Sequence, residues 1–195
     1  TAQMQGLLNF IQLATQTNTA FDITVKNALE VLETLPDSTT KVYGAINLAY
    51  LQRNSQGNSP FISCPIQLVL PENQALSLLN KSVLTSNKLK DSRLQSYANG
   101  ALGHFWECRQ DSQLALQYTH NAIIAADNKL RSKDSLYLWE WQAGRILQQQ
   151  KRTKEAIQSY QRAYETIEDI RQDILTAKRD VQFDYRDVVR TLYRQ

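Results

Sequence analysis

Apolar positions in this chain recur at the three- and four-residue spacing of helices that bury one face. The stretch holding Ala115, Leu116, Thr119, Ala122, Ile123 and Ala126 is representative. No run alternates strictly between apolar and polar residues, as a half-buried strand would. The pattern predicts helices over about 2–16, 20–34, 39–53, 72–87, 91–109, 112–128, 133–151, 153–177 and 180–194. Punctuation agrees with these breaks. Asp37 and Ser38, Asp91 and Ser92, and Asp111 and Ser112 stand where N-caps are needed. Pro71 ahead of Glu72 suits a helix start, because the N–H it lacks would have no helical partner there. From Arg53 to Pro71 the helical period disappears, and Gly57, Pro60, Pro65 and Pro71 fall in that stretch. It reads as an insertion loop, 54–71, expected from Gln56 to Pro71 to be more mobile than the helices around it. The apolar run Ile66 to Leu70 is the part able to dock back.

A second pattern lies above the helical one. Gly103, Ala115 and Ala122 are matched by Gly144, Ala156 and Ala163, each 41 residues on. Small residues at such points let two antiparallel helices approach closely. Allowing for the insertion, Ala49 and Ala75 extend the series backwards, and Asn9 with Ala28 takes it once more. This skeleton resembles the tetratricopeptide (TPR) hairpin, with a period longer than that repeat's usual length of about 34. The fold expected is all-α: a TPR-like α-solenoid forming a single domain over 1–195. It comprises about four antiparallel helix hairpins: 2–34, 39–87 with its insertion, 91–128 and 133–177. A capping or linker helix at 180–195 presents Tyr185, Val188, Val189 and Leu192 to the end of the stack. Gly103 and Gly144 are expected where neighbouring helices touch. Stacks of this kind are binding surfaces rather than reaction centres.

Composition narrows the function. A net charge of +3 is small, and Lys, Arg, Asp and Glu are interspersed at helical spacing from Lys129 onward. That reads as solvated helix faces, not a nucleic-acid track. No apolar run approaches the roughly 18 residues of a membrane span, and no signal segment opens the chain. Beginning at Thr1, the chain reads as an excised piece. Cys64 and Cys108 suggest no disulfide framework and are expected as free thiols in a reducing, cytoplasmic compartment.

The first helix of each hairpin lines the concave side of such a stack. The repeat register puts Tyr43, Ile46, Tyr50 and Arg53 there, then Tyr97, His104 and Glu107, then Leu138, Trp141, Arg145 and Gln148. The protein-binding groove is expected to centre on Tyr43, Tyr50, Tyr97, His104, Trp141 and Arg145, since aromatics and Arg are enriched at hot spots. Trp106 and Trp139 are read as core. Trp141, two residues from Trp139, is read as facing the groove. The Lys and Asn that clamp a C-terminal carboxylate in some TPR domains are missing. Ile46, Gly100 and Trp141, with Tyr50, His104 and Arg145, occupy those places. His104 and Cys108 share a helix face and could be a Cys–His nucleophile pair or two metal ligands. No complete ligand or nucleophile set accompanies them, so the expectation is no catalytic residue, no metal and no cofactor. Glu168, Asp169 and Asp173 lie among Arg162, Arg171 and Lys178 as ordinary surface ion pairs. The six glycines never cluster into a phosphate loop.

LYLWEWQAG, from Leu136 to Gly144, resembles the last repeat of TPR regions in cyanobacterial proteins with a C-terminal CHAT domain. So does RDVQFDYRD from Arg179 to Asp187, followed by Tyr193 and Arg194. The resemblance covers roughly Lys41 to Gln195. The Pro that this family places before its final Tyr-Arg is replaced here by Arg190 or Thr191. What the resemblance implies is a sensor or scaffold region upstream of a caspase-like domain. That domain's His–Cys site has no counterpart in this sequence. A protein or peptide partner is therefore expected, with no nucleic acid or membrane partner. Self-association without a ligand groove is the alternative, and a minor metal or thiol site at His104 and Cys108 is the remaining one.

Overall fold

A computed structural model of the chain describes residues 6, 21–52, 61, 63–65, 67–127 and 133–175. Among them are seven helices: α1 (Phe21–Thr34), α2 (Thr39–Ala49), α3 (Glu72–Leu89), α4 (Ser92–Cys108), α5 (Ser112–Asp127), α6 (Lys133–Gln149) and α7 (Thr153–Leu175). The architecture is all-α. The described residues contain no strand, and the lone β-bridge joins Gln52 to Leu68. Most of the expected helix 2–16, and all of 180–194 with Tyr185, Val188, Val189 and Leu192, lie outside the described residues. No described helix is long and apolar enough to cross a membrane.

Local chemistry sets the helix ends. Ser38 Oγ accepts the Lys41 N–H at 3.3 Å. Asp91 Oδ1 accepts the N–H groups of Arg93 at 2.9 Å and Leu94 at 3.1 Å. Asp111 Oδ1 accepts that of Leu114 at 3.0 Å. Each cap satisfies donors that have no partner in a first turn. Pro71 starts α3 without a side-chain cap.

The 41-residue repeat is present in the backbone. Helix α4 ends with Asp111 N–H on Trp106 O and Gln110 N–H on Glu107 O. Helix α6 ends with Arg152 N–H on Leu147 O and Lys151 N–H on Gln148 O. These are the paired bonds of a Schellman turn. Its left-handed residue is Gln110 in one and Lys151 in the other, both at φ 61°.

Consecutive helices pack in pairs: α2 with α3, α4 with α5, α6 with α7. The pairs join through α3–α4 and α5–α6, while α4 also touches α2 on one side and α6 on the other, and the three form an inner rank. The repeat's small residues sit at these seams. Ala28, Ala49, Ala75, Ala115, Ala122, Ala156 and Ala163 are all buried. A Cβ added at Gly103 would meet Thr119 Oγ1 at 2.7 Å, and one at Gly144 would meet the Tyr160 ring at 2.5 Å. Thr119 and Tyr160 are themselves one repeat apart, so these two glycines receive equivalent residues of their partner helices.

α2 stops at Ala49, short of the expected end at 53, and the chain then turns back across the inner rank. Val69 N–H donates to Leu51 O at 2.8 Å. Phe61 and Leu70 are buried in the same core cluster as α2 and α4. The described part of the insertion is thus packed against the stack.

Candidate functional site

The inner rank and the insertion meet at Phe61. Its ring lies edge-on to Tyr50 of α2 at 5.6 Å, to His104 of α4 at 6.0 Å and to Trp139 of α6 at 5.2 Å. Tyr50 stacks on His104 at 5.7 Å and donates its hydroxyl to Ala101 O at 2.6 Å. Trp139 lies over Gly100, where any side chain would collide with its indole, and donates Nε1–H to Ser96 Oγ at 2.8 Å. Tyr97 continues the aromatic row, edge-on to Trp139 at 5.9 Å, and Tyr43 stands against Tyr97 at 5.6 Å. Burial pushes the Tyr50 phenol well above its ordinary range and that of Tyr97 up to about 12. Both phenols are therefore neutral at physiological pH.

Below the aromatic row lies a charged cluster. Arg145 grips Glu107 with both arms of its guanidinium, Nε to Oε1 at 2.7 Å and Nη2 to Oε2 at 2.8 Å. Glu107 Oε2 also takes His104 Nδ1 at 2.9 Å. Burial alone would raise the Glu107 pKa. The hydrogen bonds from His104 and Arg145 outweigh it and hold the carboxyl below its ordinary value. Arg145 further donates Nη2–H to Phe61 O at 3.2 Å and lies over the Trp141 ring at 4.9 Å. Its Nη1 is buried with no hydrogen-bond partner among the described residues. His104 Nε2 faces Ser63 O at 3.3 Å and Cys108 Sγ at 3.6 Å.

Cys64 and Cys108 are joined as a disulfide, their Cα atoms 5.4 Å apart. This corrects the expectation of two free thiols. The pair is 44 residues apart in sequence and meets only because the insertion crosses α4. The argument from free thiols to a reducing compartment falls with it. A disulfide sulfur is not a thiolate nucleophile, so Cys108 and His104 form no nucleophile–base pair in this state.

The register did bring Tyr43, Tyr50, Tyr97, His104, Trp141 and Arg145 to α2, α4 and α6, or in Tyr50's case to the α2 cap. Their exposure is another matter. Tyr50, His104 and Trp141 are buried, at 6%, 1% and 1% exposure, while Tyr43, Tyr97 and Arg145 are partly buried. Trp139 and Trp141 are both buried, which corrects the reading that one of the two must face outward. Helix α6 is flanked by α4, α5 and α7, and Phe61 adds cover over Trp139, so two faces of the helix are enclosed. Trp106, read as core, is only partly buried. Ile46 is buried, Glu107 anchors the charged cluster, and Arg53 lies outside the described residues. The residues that sequence reasoning missed are Phe61 and Ser63. Their only signal was the apolar pair Phe61 and Ile62 between Pro60 and Pro65 in a stretch otherwise read as loop.

Comparison with known proteins gave no match to a family model, a curated protein or a solved structure.

Proposed function

We propose that this chain is a non-catalytic protein-interaction scaffold, built as a TPR-like solenoid with its recognition surface on the inner rank. The observation that carries this reading is the 41-residue repeat in three dimensions. Gly103 receives Thr119 as Gly144 receives Tyr160, and Gln110 and Lys151 close equivalent turns. Repeats related in this way generate an extended inner surface. Here the chain's own insertion lies on that surface as a peptide would. An aromatic side chain, Phe61, fills a cage of Tyr50, His104 and Trp139, and its backbone carbonyl is met by Arg145. A partner segment suited to the same place presents an aromatic residue followed by accessible carbonyls. The likeness of Leu136 to Gly144 and Arg179 to Asp187 to CHAT-associated repeats supports placing the scaffold upstream of a caspase-like domain.

The test removes the chain's own occupant. Residues 54–67 are replaced by a short Gly-Ser linker, and a labelled peptide of Gln56–Val69 with Cys64→Ser is titrated by fluorescence anisotropy. Saturable binding that is lost when the peptide carries Phe61→Ala is the expected result. A variant of unchanged helicity that binds neither peptide would refute the inner-face reading.

One observation favours self-association as a second reading. Ile23, Leu84, Ile124 and Ile157 are 59–68% exposed, and they sit on α1, α3, α5 and α7, one on each outer helix. Leu84 and Ile124 are 40 residues apart, nearly one repeat. A dimer by light scattering that Leu84→Ser with Ile124→Ser converts to monomer would establish it.

A further inference from the structure

We infer that Cys64, His104 and Cys108, once reduced, form a zinc-binding site that pins the insertion to α4. This goes beyond the interaction reading and does not depend on it. Three side chains bring one ligand atom each, and these atoms lie within 4.8 Å of one another. Two cysteines and one histidine are an established donor set for zinc.

The imidazole is already oriented for the role. Glu107 Oε2 belongs to a carboxylate held by Arg145 and can only accept, so the 2.9 Å contact puts the ring proton on Nδ1. A neutral imidazole then has its lone pair on Nε2. That nitrogen faces another acceptor, Ser63 O, at 3.3 Å, and Cys108 Sγ at 3.6 Å. A metal ion placed beside the neutral ring would meet lone pairs from Nε2, the Ser63 carbonyl and Cys108 Sγ together. A tetrahedral zinc ion would set the N···S edge at about 3.6 Å and the N···O edge at about 3.4 Å. The folded chain holds both edges near those lengths before any metal arrives. The Glu107–His104 contact is the carboxylate–imidazole arrangement that fixes metal-ligating histidines elsewhere.

Only the sulfurs must move. In the ion's tetrahedron they would stand about 3.8 Å apart, so the disulfide has to open. A dithiol reductant supplies two electrons and two protons, leaving as its own cyclic disulfide, and Cys64 and Cys108 become thiols. Zinc then displaces both thiol protons to solvent and binds the two thiolates with His104 Nε2, the Ser63 carbonyl oxygen standing on the fourth side. Cys64 is exposed and lies outside any helix, so it has the freedom to swing. Oxidation and metal binding are therefore alternative ways of tying the same residues.

The full chain, reduced with a dithiol, desalted under nitrogen and freed of metal, is titrated with Zn²⁺ against a chromophoric chelator. One equivalent is expected to bind the reduced chain, with none bound by the disulfide form. Cys64→Ser with Cys108→Ser is expected to bind at least about a hundredfold more weakly. Co²⁺ in place of zinc is expected to give sulfur-to-metal charge transfer and intense tetrahedral ligand-field bands. With only two histidines in the chain, long-range ¹H–¹⁵N spectra read His104 without mutation, and zinc is expected to shift its Nε2. Equal zinc affinity for the reduced wild type and the double serine variant would overturn the assignment. So would a weak octahedral cobalt spectrum, or an unshifted His104 Nε2 in the zinc-loaded chain.

Discussion

Replacing Gly103 with alanine isolates the contact on which the repeat depends. A Cβ there would stand 2.7 Å from Thr119 Oγ1, 2.9 Å from Gln142 Nε2 and 3.0 Å from the Thr119 backbone nitrogen. None of these atoms can withdraw cheaply. The backbone nitrogen belongs to α5, and Gln142 Nε2 donates to Thr119 Oγ1 at 2.7 Å and to Gly100 O at 3.1 Å. Overpacking of this kind costs about 1–3 kcal/mol, and weakening a buried hydrogen bond adds about 1 kcal/mol. Against this, alanine gains about 1 kcal/mol over glycine in a helix. The net is a loss of about 1–3 kcal/mol, or a fall in Tm of roughly 2–12 °C for a chain of this size. Gly144 is the internal comparison. Its added Cβ meets the Tyr160 ring, which is partly exposed and hydrogen-bonded only to Gln148 among the described contacts. That ring can swing, so Gly144→Ala is expected to lose less. Gly6, with nothing within 4 Å, is the neutral control. Thermal melts by circular dichroism read all three. Gly103→Ala at or above the wild-type Tm would refute the close approach of α4 and α5 at this point.

Other consequences are as direct. Gln110 and Lys151 hold φ 61°, which costs an L-residue about 1–2 kcal/mol. Gln110→Gly and Lys151→Gly are each expected to stabilise by up to about 1 kcal/mol in urea unfolding, and a loss of similar size would argue against the left-handed turn. Glu107→Ala leaves Arg145 buried without its carboxylate and is expected to cost about 3–5 kcal/mol, read by the same unfolding assay. Because the folded state lowers the Glu107 pKa from 4.5, its stabilising contribution is present above that value and disappears as pH falls through the lower, folded value. The gap between wild type and Glu107→Gln is therefore expected to narrow below pH 4.5, and a gap that widens on acidification would reverse the sign. Opening the disulfide frees a loop closed across 44 residues, worth about 4 kcal/mol by loop entropy, so Cys64→Ser is expected to lower the Tm and direct first proteolytic cuts to the stretch between Leu51 and Pro71. First cuts inside α5 or α7 would contradict the helix assignment.

What the sequence revealed and what it hid divide along the range of the interactions. Helix limits were legible because their causes are local: Ser38, Asp91 and Asp111 cap within three residues of themselves. The seams at Gly103 and Gly144 were legible because a small residue every 41 positions repeats the same steric demand. The inner-rank identities of Tyr50, His104 and Arg145 followed from that register. Their burial did not, because it depends on Phe61 and Cys64 in a stretch with no period. An aperiodic segment carries no code for where it docks. The apolar run ending at Leu70 hinted at contact with the stack, but the pairing of Cys64 with Cys108 required knowing which helix face the segment would cross. Trp139 was read as core and is buried, but Trp141, read as facing the groove, was misjudged. Helical geometry says Trp139 and Trp141 point apart, yet a helix flanked by neighbours and covered by the insertion buries both directions.

The account rests on the insertion lying across the inner rank, and disulfide mapping tests that placement most directly. The monomeric chain is oxidised mildly, its remaining thiols are blocked under denaturing conditions, and it is digested without reduction for mass spectrometry. The expected product is one intrachain cross-linked pair, the peptide carrying Cys64 joined to the peptide carrying Cys108. Two fully blocked thiols, or cross-links found only between chains, would place Cys64 away from α4 and contradict the covered inner face.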